Sequence, residues 1–119
     1  MKDKINVLGT EYSIVFKNDE EIAEDMNAEI GQYGGYCNEA KKIIAIAPFD
    51  KCKGETEESK AYLTKWNLRH EITHAFLNES GLSSDSNSSE QWAKNEEMVD
   101  WFAIQSPKIY KIFAELDIL

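Results

Sequence analysis

His70-Glu71-Ile72-Thr73-His74 is the stretch on which the reading of this chain turns, and it uses both histidines in the sequence. On an α-helix, residues four apart lie one above the other, so His70 and His74 can offer their imidazoles to one metal ion. Glu71 stands one residue round the helix from His70. It can reach a water on such a metal from outside the ligand direction, a position that suits a general base rather than a ligand.

The helix that carries the motif is expected to run from about Glu57 to Glu79. Its wheel places Leu63, Trp66 and Leu77 on the side of His70 and His74, with Leu68, Ile72 and Ala75 roughly opposite. An element apolar on two sides is sandwiched between layers. Gly81 is expected to stop it in the left-handed region, with Leu82 folding back on Leu77 in a Schellman ending.

Two histidines leave a metal site incomplete, and Asn95-Glu96-Glu97-Met98-Val99-Asp100 offers the missing ligand. If residues 90 to 104 are helical, Glu96 falls within about 60° of Trp92, Val99 and Ala103, on the apolar face. A carboxylate turned inward is costly unless paired or metal-bound, and a cation held by two neutral imidazoles is a suitable partner. Glu97, about 100° away, is the weaker alternative.

His70-Glu71-x-x-His74 followed by Asn95-Glu96-x-x-x-Asp100 resembles the gluzincin pattern of thermolysin-type zinc metallopeptidases, over the two motif helices and not the whole chain. The resemblance implies Zn2+ held by His70, His74 and Glu96, with Glu71 as catalytic base. It also implies that Asp100 accepts a hydrogen bond from the free ring nitrogen of His70 and that Asn95 holds His74, consistent with the outer carboxylates and amides that orient metal-bound imidazoles. A metzincin would need a third histidine six residues beyond His74, where Ser80 stands. In size and order of elements the chain is similar to small zincin-like proteins of bacteria and their phages or mobile elements, including the ImmA/IrrE type.

At 119 residues the chain is read as one domain, residues 1–119, far shorter than the two-domain peptidases that share the motif. Thirteen basic residues against twenty-two acidic ones give a net charge of −9, which argues against unaided binding to nucleic acid or anionic membrane. No charged leader followed by an apolar run and no stretch of transmembrane length is evident, so a cytoplasmic protein is expected. Cys37 and Cys52, fifteen residues apart, form no C-x-x-C unit and are expected to be reduced thiols.

The first half reads as strands. Residues 4 to 8 and 11 to 17 flank Gly9-Thr10 as a hairpin, with Tyr12, Ile14 and Phe16 on its buried face. Asn18 or Asp19 caps a short helix running to about Ala28. Tyr33 to Cys37 and Lys42 to Ala47 make a second hairpin that Pro48 ends. The expected fold is therefore α+β, a small mainly antiparallel sheet packed on the motif helix and a second helix bearing Glu96, as in a minimal zincin-like fold.

Beyond the motif, Ser83 to Ser89 reads as a linker, with Ser88 and Gln91 as a capping box for the next helix. Ser106-Pro107 is expected to start a separate final helix. Its stripe of Ile109, Ile112, Phe113 and Leu116 is core or partner surface, with core preferred.

The function expected is hydrolysis of a peptide or protein substrate by a zinc-activated water. The alternative is a zinc-binding regulatory or interaction module that does not hydrolyse peptides. An oxyanion stabiliser is not identified among Tyr33, Tyr36, Tyr62 and Tyr110, and Gly34-Gly35 offers either a bulge or room for a peptide backbone to approach an edge strand by β-augmentation.

Overall fold

The two hairpins form as the turn chemistry requires, in a computed structural model that describes residues 3–49, 54–83 and 90–119. Strands β1 (Lys4–Val7) and β2 (Thr10–Phe16) pair antiparallel. Their turn is Leu8-Gly9, with φ of 51° and 94°, so Thr10 belongs to the strand. Positive φ at both turn residues matches the right-handed twist of the flanking strands.

Strands β3 (Gly35–Asn38) and β4 (Ile43–Ile46) form the second antiparallel pair. Between the hairpins lies α1 (Asp19–Met26), capped by Asn18 in a capping box with Glu21. It stops short of Ala28 because Asn27 turns left-handed at φ 49° and returns its N–H to the helix's last carbonyls.

The sheet order is β1-β2-β4-β3, and β4 runs parallel to β2, from Ser13 opposite Ile43 to Phe16 opposite Ile46. The sheet is therefore mixed rather than simply antiparallel. A parallel neighbour requires a crossover connection, and the chain makes it through α1, residues 27–34 and β3, which runs back antiparallel to β4. This order leaves β3 at the sheet edge.

Helix α2 (Glu57–Glu79) lies across the sheet. Ala75, Leu68 and Ile72 pack on Val7, Tyr12, Ile14, Ile44 and Ile46. Phe16, by contrast, is 47% exposed, so the buried face of β2 ends at Ile14. The other side of α2 meets α3 (Glu96–Glu115), where Leu77, Ala93 and Val99 are buried together. The expected sandwich is thus sheet, α2 and α3.

The C-terminal end of α2 is tied to the sheet through Glu79. Its carboxylate accepts from Thr10 Oγ1 at 2.9 Å, Tyr12 Oη at 2.8 Å and Lys42 Nζ at 2.6 Å. Gly81 takes φ 85°, as expected. Ser80 Oγ donates to the Leu77 carbonyl at 2.9 Å, and Leu82 is 45% exposed, so it does not fold back on Leu77 as a buried contact.

Three expectations for the C-terminal half are corrected. Asn95 caps α3, after a 3-10 turn over Trp92–Lys94, whereas Ser88 lies outside the described residues. Ser106-Pro107 starts no new helix, because α3 runs through Pro107 without interruption. Proline removes the donor that would reach the Ala103 carbonyl, and Arg69 Nε from α2 donates there instead at 2.6 Å. Finally, Ile112, Phe113 and Leu116 are 51%, 43% and 64% exposed, so the stripe preferred as core is surface.

Candidate metal centre

The motif residues stand midway along α2, facing α3 on one side and the β3 edge on the other. His70 Nδ1 lies 2.7 Å from Asp100 Oδ1, one turn into α3. A neutral imidazole that donates from Nδ1 leaves the Nε2 lone pair free. His70 Nε2 lies 3.2 Å from His74 Nε2. Burial, the largest influence, pulls the His74 pKa down and so favours its neutral, lone-pair-bearing form.

Glu96 closes the triangle: Oε2 is 3.1 Å from His70 Nε2, and Oε1 is 3.0 Å from His74 Nε2. It does so as the first residue of α3 and with 61% of its side chain exposed. The inward helix face expected to carry it does not begin at Trp92, which precedes α3 and is 60% exposed. Val99 and Ala103 are fully buried, as that face required, and Glu97 is exposed.

Glu71 is the buried acid of the group, 6% exposed, and its pKa is raised to about 7. Desolvation is the main cause; the neighbouring His70 opposes it, while Glu96 and Asp100 add to it. His70, Glu71 and His74 together form a His-Glu-His group that could hold a metal ion, their ligand atoms lying within 4.8 Å of one another. Glu96 approaches both imidazoles more closely than that limit, so the two carboxylates differ in kind: one buried beside the histidines, one bridging them from the rim.

Asn95 does not reach for His74. Its Oδ1 accepts from the Met98 N–H at 2.9 Å and its Nδ2 points to the Glu90 carbonyl at 3.5 Å, so the side chain is committed to the start of α3.

The β3 side supplies residues that sequence reasoning missed. Asn67 Nδ2 donates to the Gly34 carbonyl at 2.7 Å, fastening the approach to β3 to the motif helix. A Cβ at Gly35 would lie 2.5 Å from the Ala45 carbonyl oxygen, so this glycine serves close backbone approach to β4 rather than a bulge. Asn78 accepts from Ser83 Oγ at 2.6 Å and faces Cys37 Sγ at 3.7 Å. Asn67, His70, His74 and Asn78 recur at helical spacing, a polar line that could have revealed both asparagines.

Cys37 is a free thiol with its pKa pushed up to about 12, chiefly by burial and then by Glu71, so it stays protonated. Cys52 lies outside the described residues. Of the four tyrosines considered, Tyr33 and Tyr36 line the groove of about 930 Å³ that contains the histidines. Tyr36 is already engaged, its hydroxyl 2.7 Å from Asp25 Oδ2.

Among the described residues, the fold and donor set define a small α+β protein with a four-stranded mixed sheet, three α-helices and a His-Glu-His group that could hold a metal ion. No protein-family model, curated protein or solved structure matches the chain. Among the described residues, no helix is long and apolar enough to cross a membrane.

Proposed function

We propose that the protein is a minimal zinc-dependent peptidase in which His70, His74 and Glu96 hold the metal and Glu71 is the base. The observation that carries this reading is the convergence of His70 Nε2, His74 Nε2 and the Glu96 carboxylate at 3.0 to 3.2 Å. With His70 Nδ1 donating to Asp100, these atoms crowd lone pairs and negative charge into one point, which a cation relieves. Donors about 2.0 to 2.1 Å from a tetrahedral zinc stand about 3.3 Å apart, close to the observed spacing. Glu96 is preferred to Glu71 as ligand because it touches both imidazoles.

Bound there, zinc would supply a Lewis acid and an acidified water. Glu71 would take a proton from the attacking water at its carboxylate as oxygen bonds to the peptide carbon, and would give that proton to the amine as the C–N bond breaks. Burial by itself pushes the Glu71 carboxyl up to about 7, and a bound cation would pull it back down towards the charged form that accepts a proton. Asp100 keeps the His70 ring in the orientation and tautomer that present Nε2.

The groove supports a peptide as the substrate. Tyr33, Gly34, Gly35, Phe49 and Trp66 line it beside His70, Glu71 and His74. β3 bounds it as the edge strand, where an extended chain can pair by backbone hydrogen bonds.

The test is a peptide-library digest by protein carrying one zinc per chain, beside Glu71→Gln. Retained zinc with cleavage lowered by about 10²- to 10⁴-fold is expected. Unchanged cleavage by the variant overturns Glu71 as base, and zinc binding without any cleavage by the native chain favours the interaction module.

A further inference from the structure

We propose that the C-terminal half of α3 is a homodimer interface, on which a second copy of this chain docks in antiparallel orientation. The proposal is independent of the metal centre. Phe102, Gln105, Ile109, Ile112 and Leu116 follow alternating spacings of three and four, the heptad pattern by which two helices pack along a seam. Phe102, Ile112 and Leu116 are 48%, 51% and 64% exposed, and Phe113 on the flank is 43% exposed. The seam is about 20 Å long at 1.5 Å per residue, broken by the polar Gln105 and with Ile109 half-buried, so its exposed apolar surface is concentrated at Ile112, Phe113 and Leu116. By the helical angle its centre lies about 120° from the Val99 and Ala103 face that α3 turns to α2, so it faces away from the fold's own core.

Charge selects the occupant. Lys108 and Lys111 balance Glu115 and Asp117, so residues 101–119 are neutral and the net charge of −9 rests on the rest of the chain. This is where two copies can approach without the repulsion they meet elsewhere. Lys108 and Glu115 stand seven residues apart on the same flank of the stripe. In an antiparallel pair, like flanks face each other, so Lys108 of each copy meets Glu115 of the other, twice by symmetry. In a parallel pair, Lys108 faces the opposite flank, which presents Phe113. A lipid surface is disfavoured because the acids cancel the lysines that would draw the helix to anionic headgroups.

Light scattering on a sizing column, over a dilution series, reads the mass directly. A particle of twice 13.6 kDa is expected at high concentration. Ile112→Glu should give monomer, and K108E and E115K should each weaken the dimer about tenfold or more by setting like charges together. Circular dichroism should be unchanged, since all three positions are exposed. Mixing the K108E and E115K proteins should restore the dimer as a one-to-one heterodimer, because every flank pair is then of opposite sign. A monomer at all concentrations overturns the proposal. So does a dimer indifferent to the three substitutions, or one that mixing does not restore.

Discussion

Arg69 Nε donates to the Ala103 carbonyl at 2.6 Å, supplying from α2 the hydrogen bond that Pro107 withholds within α3. Proline inside a helix costs about 3 kcal/mol, partly through the carbonyl it leaves without a donor. A guanidinium donor from the neighbouring helix recovers part of that cost and fixes where α3 crosses α2. The crossing in turn places Glu96 and Asp100 against His70.

Arg69→Ala should therefore destabilise the protein by about 1 to 3 kcal/mol, leaving a partly buried carbonyl unpaired. Pro107→Ala should stabilise the Arg69→Ala background more than the native one, because the restored helix N–H then has the carbonyl to itself. Urea denaturation of the four proteins measures the coupling. Additive effects would show that Arg69 does not compensate for Pro107.

With zinc held as proposed, Asp100→Asn should still bind it but with affinity lowered by about 10- to 100-fold, the usual cost of losing the acceptor behind a metal-bound histidine. His74→Ala should abolish binding. Competition with a chromophoric chelator reads both, and equal affinity in Asp100→Asn and native protein would remove Asp100 from the site.

Asn95→Ala separates two roles. As the cap of α3 it should cost about 1 kcal/mol of stability, while zinc affinity changes little. A large loss of zinc with unchanged stability would instead assign Asn95 to His74.

Glu79 sets an acid limit. Lys42 first, then Tyr12 and Thr10, hold its carboxyl down at about 2 against an ordinary 4.5. Folding thus favours the charged form, so this stabilisation is complete above about pH 4.5 and disappears as pH falls through about 2. Glu79→Gln should unfold at lower temperature than native protein near neutrality, and the difference should shrink steadily through that window. A difference independent of pH would leave Glu79 without this role.

Features written in local spacing were legible. The bounds Glu57–Glu79 of the motif helix, the helix cap at Asn18 or Asp19 and the two hairpins each depend on residues a few positions apart. Errors fell where distant parts compete. The turn signals identify each hairpin but say nothing of how one joins the other, and β4 joins β2 in parallel. Pro107 reads locally as a helix start, and only Arg69, thirty-eight residues earlier, makes it tolerable inside one.

The sequence by itself determined that two imidazoles and a carboxylate share one helix, because a four-residue spacing holds wherever that helix lies. Tertiary structure alone decided which other carboxylates meet them. Glu96 reaches both histidines from an exposed first turn, Asp100 backs His70, and Asn95 is spent on capping, all consequences of where α3 begins and how it crosses α2. Tertiary structure also left Ile112 and Leu116 uncovered. Periodicity marks a face as apolar, but only the packing of the other elements decides whether anything lies against it.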